Sequence, residues 1–485
     1  MFVQRSPLRF ARPTLTLLAG LLILTPTELA SQPSGHVPTP MGSPTSPVPL
    51  LQSTTEPSSA RALLDRYVAE ALEANLALAQ QHAQLVRANA QMREARGRFL
   101  PSLDVNARYS EVSGVVNIGD FINPAYGALN QLIGQQRFPT NINATLPFKQ
   151  ESKLELTLPI FNDAIGAAST AAVAQRDLVG AGRHAAMRQL AADVQLSWLA
   201  YASLDQAVAT LEATLPLLDE NVRVSTRLIE AGETTPDALL RARAERSEVQ
   251  QQLDDTRRQR DAARRGFNLL RDREPDAGIT LASDSSLLRV DSPDLSAAVA
   301  HAMSHREELQ QATTGIQLAN AQRRLATSGY LPSLALSASY GIQGNQYRIS
   351  KNDDVALANL VFSWNVFSGG RTGARREQAI ALRNEADLRR REAERAIRRQ
   401  VENAHDGVQA ARSSLATADD RLASAQRAFT LVQRRFTEGL ASHIEFLGAR
   451  SAYTSAAINQ IITRFTFATR VVELERAAAL RAIPE

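Results

Sequence analysis

Cysteine is missing from all 485 residues, which excludes disulfides and thiolate metal sites and leaves no lipid-accepting N-terminal cysteine to expect. Aromatic residues are scarce, at 5%. The 44% apolar fraction rests on Ala and Leu instead, which suits long close-packed helices better than a thick globular core. Past Leu24 no apolar run approaches the ~20 residues of a spanning helix, so a membrane-embedded form of this chain has to be β-structure. Neither sign of charge dominates: a formal net charge of +4 gives no reason to expect a nucleic-acid partner.

Catalytic patterns are also missing. There is no phosphate-binding glycine loop, G-x-S-x-G elbow or H-E-x-x-H helix, so neither an enzyme nor a cofactor is expected. His301 and His305 stand one helical turn apart beside Glu307 and Glu308, a spacing at which two imidazoles can share an ion. No third ligand accompanies them; they are read as surface residues, and no metal is expected. The Arg389 to Arg391 and Arg398 to Arg399 runs alternate with Glu and are read as solvated helix faces.

The chain opens with Arg5, Arg9 and Arg12, then an apolar run from Thr14 to Leu24, then small residues around Ala30 and Ser31. That order predicts a secretory signal over 1–31. Residues 32–59 hold seven prolines, Pro33 to Pro57, among Ser and Thr, and read as a disordered linker.

From residue 60 the chain repeats itself. Leu100-Pro101-Ser102-Leu103 returns as Leu331-Pro332-Ser333-Leu334, an offset of 231 residues that also pairs Ala71 with Ala302 and Tyr109 with Tyr340. Leu154, Leu156, Ile160 and Phe161 return as Leu360, Phe362, Val366 and Phe367 at an offset of 206. Gly232 to Arg243 returns as Gly439 to Arg450 at 207. Residues 60–272 and 296–480 are thus two copies of one unit, joined by a Pro- and Ser-containing loop over 273–295.

Each unit predicts a helix, two strands, a very long helix and a shorter returning helix. The opening helices cover about Ala60 to Arg98 and Ser296 to Ser328. The strands fall at about 100–112 and 152–162, then 331–344 and 354–367. Their alternation sets Leu103, Val105 and Ala107 against Asp104, Asn106 and Arg108, and Leu154, Leu156, Leu158 and Ile160 against Lys153 and Glu155. Period-2 segments of about ten residues are the pattern of a transmembrane β-strand. The long helices, about Ala164 to Ala231 and Gly373 to Glu438, would each span roughly 100 Å, with a kink expected at Pro216.

Lipid gives an open strand edge no partner, so a membrane sheet must close into a barrel. The smallest such barrels have about eight strands, which four per chain cannot supply. Three chains give twelve, with room for a lumen. On that reading Asp104, Asn106, Arg108, Lys153 and Glu155 face the pore, apolar residues face lipid, and the helices continue the barrel as a tube. The competing reading is a periplasmic coiled-coil adaptor or tether, which should carry a compact β-rich module in place of amphipathic strand pairs.

The duplicated LPSL strand starts, the LPIFND and WNVFSGGR strand-to-helix junctions and the duplicated glycine tips ending in Ala-Arg resemble the TolC family of outer-membrane efflux proteins. The resemblance covers about residues 60–480. It implies a mainly α chain with membrane β-structure, a homotrimer with a twelve-stranded β-barrel continued by a twelve-helix periplasmic α-barrel, and location in the outer membrane. It further implies passive export of small molecules or proteins, as the exit duct of a tripartite pump or type I secretion system, with a periplasmic adaptor and an inner-membrane transporter of RND, ABC or MFS type as partners. By position, the gate lies at Thr234 to Leu240 and Phe436 to Gly448. Phe436 stands where relatives often have a hydrogen-bonding Tyr, and Glu445 where they carry an acidic ring; a second acidic position is Gly448 here, and Asp237 lies near the matching place on the first hairpin. Gly232, Thr234, Thr235, Gly439, Ala441 and Ser442 are the expected adaptor-contacting tips. The loop from Glu111 to Ser152, about 25 residues longer than its partner, is expected outside the cell.

Overall fold

The computed structural model describes residues 60–111, 116–143, 149–233, 235–282, 293–344 and 354–483. The expected signal and linker, Thr234 and residues 283–292 of the inter-repeat loop lie outside these residues.

Each unit opens with two helices where the sequence predicts one. α1 (Ala60–Ala74) and α2 (Leu76–Gly97) part at Asn75, whose backbone is extended (φ −64°, ψ 122°). Its side chain accepts the Leu78 N–H at 3.1 Å, capping α2, and donates to the Leu270 carbonyl at 2.9 Å. Within the long loop between the first two strands the chain forms α3 (Gly119–Ile133), a helix that the sequence reading leaves as loop. In the second unit α6 (Leu295–His305) and α7 (Glu307–Ser328) part at Arg306, the same position 231 residues on. Arginine cannot cap, so its guanidinium reaches the Ala477 carbonyl at 2.8 Å, the counterpart of Leu270. The duplication has kept the break and its tether while replacing the chemistry.

The long rods are α4 (Asp163–Glu230) and α8 (Arg371–Thr437), 68 and 67 residues, each returned by a 35-residue helix, α5 (Pro236–Leu270) and α9 (His443–Ala477). α4 runs through Pro216 without ending there. The core concentrates midway along the bundle. One cluster joins Leu63, Leu64 and Tyr67 to Val194, Trp198, Leu199 and Phe267. Another joins Ala298, Val401 and Val408 to Phe467 and Leu474. His301 bonds the Ala478 carbonyl at 2.9 Å and stacks on His305, a structural use of the pair; among the described residues no cluster of potential ligands forms. Among those residues, too, no helix is long and apolar enough to cross a membrane.

β1 (Ser102–Tyr109), β2 (Gln150–Phe161), β3 (Ser333–Gly344) and β4 (Asp354–Ser363) form one antiparallel sheet in that order, joining the two repeats through β2 and β3. At two points the sheet departs from the strict alternation of the sequence. At Pro159, which has no N–H to give the ladder, the register slips so that Phe161, not Ile160, comes opposite Leu334. β4 stops at Ser363, because Trp364 turns aside to donate its indole N–H to the Tyr330 carbonyl at 3.1 Å, leaving Val366 and Phe367 outside the ladder.

Candidate functional site

Two regions hold the residues that the sequence singles out: one face of the sheet, and the far tips of the helical hairpins.

Pairing puts Asp104 opposite Glu155, Asn106 opposite Lys153 and Arg108 opposite Glu151, so all five predicted pore residues share a face. Glu151 joins them because β2 begins two residues earlier than the alternation predicts. The charges interlock: Arg108 meets Glu151 at 3.0 Å, Lys153 lies 3.3 Å from Glu151 and 4.0 Å from Glu155, and Asn106 donates to Glu155 at 3.2 Å. Gly341 is required beside Lys153, since a Cβ there would sit 2.2 Å from the Ser152 carbonyl oxygen. The opposite face is apolar, with Leu103 and Leu156, Val105 and Leu154, Leu336 and Leu360, and Leu334 and Phe362 facing each other across the ladders. Of the whole sheet only Gln150 is buried. A soluble sheet packed on helices would bury one face; this one buries neither.

At the other end both long helices finish alike. Gly232 and Gly439 adopt φ +75°, and the next residues' N–H groups reach back to Leu228 at 2.8 Å and Arg435 at 2.7 Å, closing Schellman turns that reverse the chain sharply. A side chain in this left-handed region costs about 1–2 kcal/mol. Gly439→Ala is therefore expected to loosen its tip by about that amount, read as faster amide exchange at Leu440 with the mid-bundle unchanged.

After the turns come the helix starts. Thr235 precedes α5 and donates its hydroxyl to Asp237, which also lies 3.7 Å from Arg241. The Thr235 hydrogen bond, more than Arg241, holds the Asp237 carboxyl below its ordinary range. Ala441 is half-buried between the second turn and Ser442. Ser442 and Glu445 form a capping box: the Glu445 carboxylate accepts the Ser442 N–H at 2.7 Å, and the Ser442 hydroxyl accepts the Glu445 N–H at 3.3 Å. These bonds from Ser442 lower the Glu445 pKa. A depressed carboxylate pKa adds stability above the unfolded value, lost as pH falls through the folded one, so Glu445 is ionised at neutral pH.

Phe436 stacks on Phe446, centroids 4.7 Å apart, beside His443 at 5.9 Å, and Phe429 stacks on Tyr453 at 5.6 Å. Phe436 thus makes ring contacts at the position where a Tyr would offer a hydroxyl. One residue that the sequence reading did not single out dominates this end. Arg450, 2% exposed, reaches from α9 to Glu245 on α5, while its Nε and Nη1 are buried without a partner. Burial, then the Arg450 charge, pushes the His443 imidazole down, keeping it neutral near pH 7. Above this link, Thr214, Glu248, Gln252, Ser451, Thr454 and Asn459 line a polar groove of about 280 Å³.

The model of the outer membrane efflux protein family matches residues 67–268 and 298–480, one stretch in each repeat. Among solved structures, the outer membrane protein VceC of Vibrio cholerae aligns with TM-score 0.70 at 18% identity, covering 86% of this chain and 96% of that one. The CmeC outer membrane channel of Campylobacter jejuni aligns with TM-score 0.70 at 15% identity, over 86% and 85%. The open state of the MtrE outer membrane channel of Neisseria gonorrhoeae aligns with TM-score 0.69 at 18% identity, over 86% and 88%. No curated protein matches the sequence.

Proposed function

Because the chain belongs to the outer membrane efflux protein family, and so is an outer-membrane exit channel, we propose that it works as the homotrimeric duct of a tripartite efflux pump. Three sheets close a twelve-stranded barrel in the outer membrane, and the long helices continue it as a twelve-helix tube into the periplasm. The observation that carries this reading is the sheet: four strands with two free edges, one apolar face, a second face that is charged over β1 and β2, and neither face buried. Lipid would leave those edges unsatisfied, and pairing the β1 edge with the β4 edge of the next copy removes them.

In this duct the charged ladder lines the water-filled path, and the tips at Gly232, Thr235, Gly439, Ala441 and Ser442 meet a periplasmic adaptor that couples to an inner-membrane transporter. Thr234 belongs to the same tip by position. A type I secretion exit would use the same surfaces, and the genes beside this one distinguish the two. The test of the duct is fractionation followed by planar-bilayer recording. Heat-modifiable trimers in the outer membrane that conduct ions are expected; a soluble periplasmic monomer would leave only the tether.

Glu445, fixed and ionised by its capping box, occupies a place where three copies would form an anionic ring. Glu445→Gln is expected to lower cation preference, measured as a reversal potential across a salt gradient, and the shift should shrink as salt screens the ring. An unaltered reversal potential at low salt would remove Glu445 from the permeation path.

A further inference from the structure

Among the described residues two apolar surfaces stand uncovered, one on the helix between β1 and β2 and one on the sheet. On α3, Phe121, Ala125, Ala128, Leu129 and Leu132 share one helical face and are all exposed, Phe121 by 74% and Leu132 by 85%. The stripe is held in place from behind. Asn123 accepts the Ile142 N–H at 2.8 Å and donates to its carbonyl at 2.9 Å. Seven residues on, Asn130 does the same to Phe138 at 2.9 and 2.7 Å, and Tyr126 rests against the Phe138 ring. The second surface is the pore side of β4. Val355 and Leu357 stand in register with Gly341 and Ser339, and through them with Lys153 and Glu155. They are 39% and 52% exposed, putting apolar surface where β1 and β2 carry charge.

We propose that α3 folds over the outer mouth of the channel and seats its apolar stripe on Val355 and Leu357 of the neighbouring copy, so that three such helices narrow the exit. The proposal rests on the trimeric barrel above. β1 and β4 are the free edges and run in opposite directions. Closing the barrel therefore lays the neighbour's β4, with its Asp354 end, beside the Tyr109 end of β1. The segment 110–118 that joins β1 to α3 reaches up to roughly 30 Å, and adjacent strands lie only about 4.8 Å apart.

The chain's own sheet offers no equivalent seat next to β1: its Val355 and Leu357 lie three strands away, about 14 Å, against about 4.8 Å for those of the neighbour. Beside Tyr109 it carries the Arg108–Glu151 pair, and at the rim the Lys149–Glu111 pair, which an apolar helix would strip of water. Nor does α3 suit the lipid surface, because Asp120 is its only charged side chain and it lacks the Lys and Arg that hold interfacial helices on anionic headgroups.

Since the chain has no cysteine, an engineered pair gives a clean test. Leu129→Cys with Val355→Cys, treated in intact outer membranes with a bismaleimide of about 10 Å span, is expected to yield covalent dimers and trimers after boiling in SDS, with neither single variant doing so. Linkage within one chain, linkage through Leu129→Cys alone, or no linkage overturns the proposal. So does a bimane on Leu129→Cys that is quenched by spin-labelled lipid. If unlinked variants are not heat-modifiable trimers, the barrel reading itself has failed; if they are, only the seating of α3 is at stake.

Discussion

Replacing Glu245 with alanine is expected to spring the periplasmic tips apart. Arg450 is buried to 2% exposure and Glu245 is its charged partner; two of its three guanidinium nitrogens already have none. Breaking a buried pair by removing one partner costs about 3–5 kcal/mol, because the remaining charge stays out of water uncompensated. The second hairpin escapes that cost by moving away from α5 until Arg450 is wet, and His443, held neutral beside it, moves with it. At 1.4 kcal/mol per decade, even about 3 kcal/mol shifts a closed-to-open equilibrium by roughly a hundredfold. Glu245→Ala should therefore spend far more time in a high-conductance state in planar bilayers. Glu245→Gln, which keeps an acceptor, should open less. If Glu245→Ala conducts like the unmodified protein, the Arg450 link does not hold the tip.

This link shows where a repeat conceals as well as reveals. Arg243 and Arg450 are matched residues at the ends of the duplicated tips, yet Arg243 is exposed and Arg450 is among the largest buried side chains. The duplication was legible because similar short segments recur in the same order, at an offset of 231 before the long loop and of 206 or 207 after it. What the second copy did with an inherited arginine was not, because that depends on which neighbouring helix faces it. Asn75 and Arg306 show the same limit: an asparagine before a leucine-rich run is a readable cap, while an arginine bound to a distant carbonyl has no local pattern.

The strands were legible in their alternation and less so at their ends. Glu151 was missed because Gln150 breaks the apolar rhythm, and Trp364 was over-read because it fits that rhythm while its indole N–H draws it to Tyr330. α3 was hidden by Pro124 and two glycines, which read as a loop; the paired asparagines that fasten it are seven residues apart and act only once the chain has turned back.

Glu307→Ala is expected to produce the largest loss of stability, far from both pore and tips. Arg188 on α4 grips Glu307 on α7 with Nε at 3.0 and 2.8 Å and Nη2 at 2.6 Å, and its Nη1 donates to the Arg481 carbonyl at 2.8 Å. The side chains are 13% and 11% exposed, so water screens the pair little. Removing Glu307 leaves Arg188 with one carbonyl and should cost about 3–5 kcal/mol, seen as a lower thermal unfolding midpoint by circular dichroism in detergent. The same desolvation makes the pair replaceable: Arg188→Met with Glu307→Leu removes both charges, retains the volume and should recover most of the loss. A double variant no more stable than Glu307→Ala would mean that the hold on the Arg481 carbonyl, rather than the ion pair, ties α4 to α7 and the C-terminal residues.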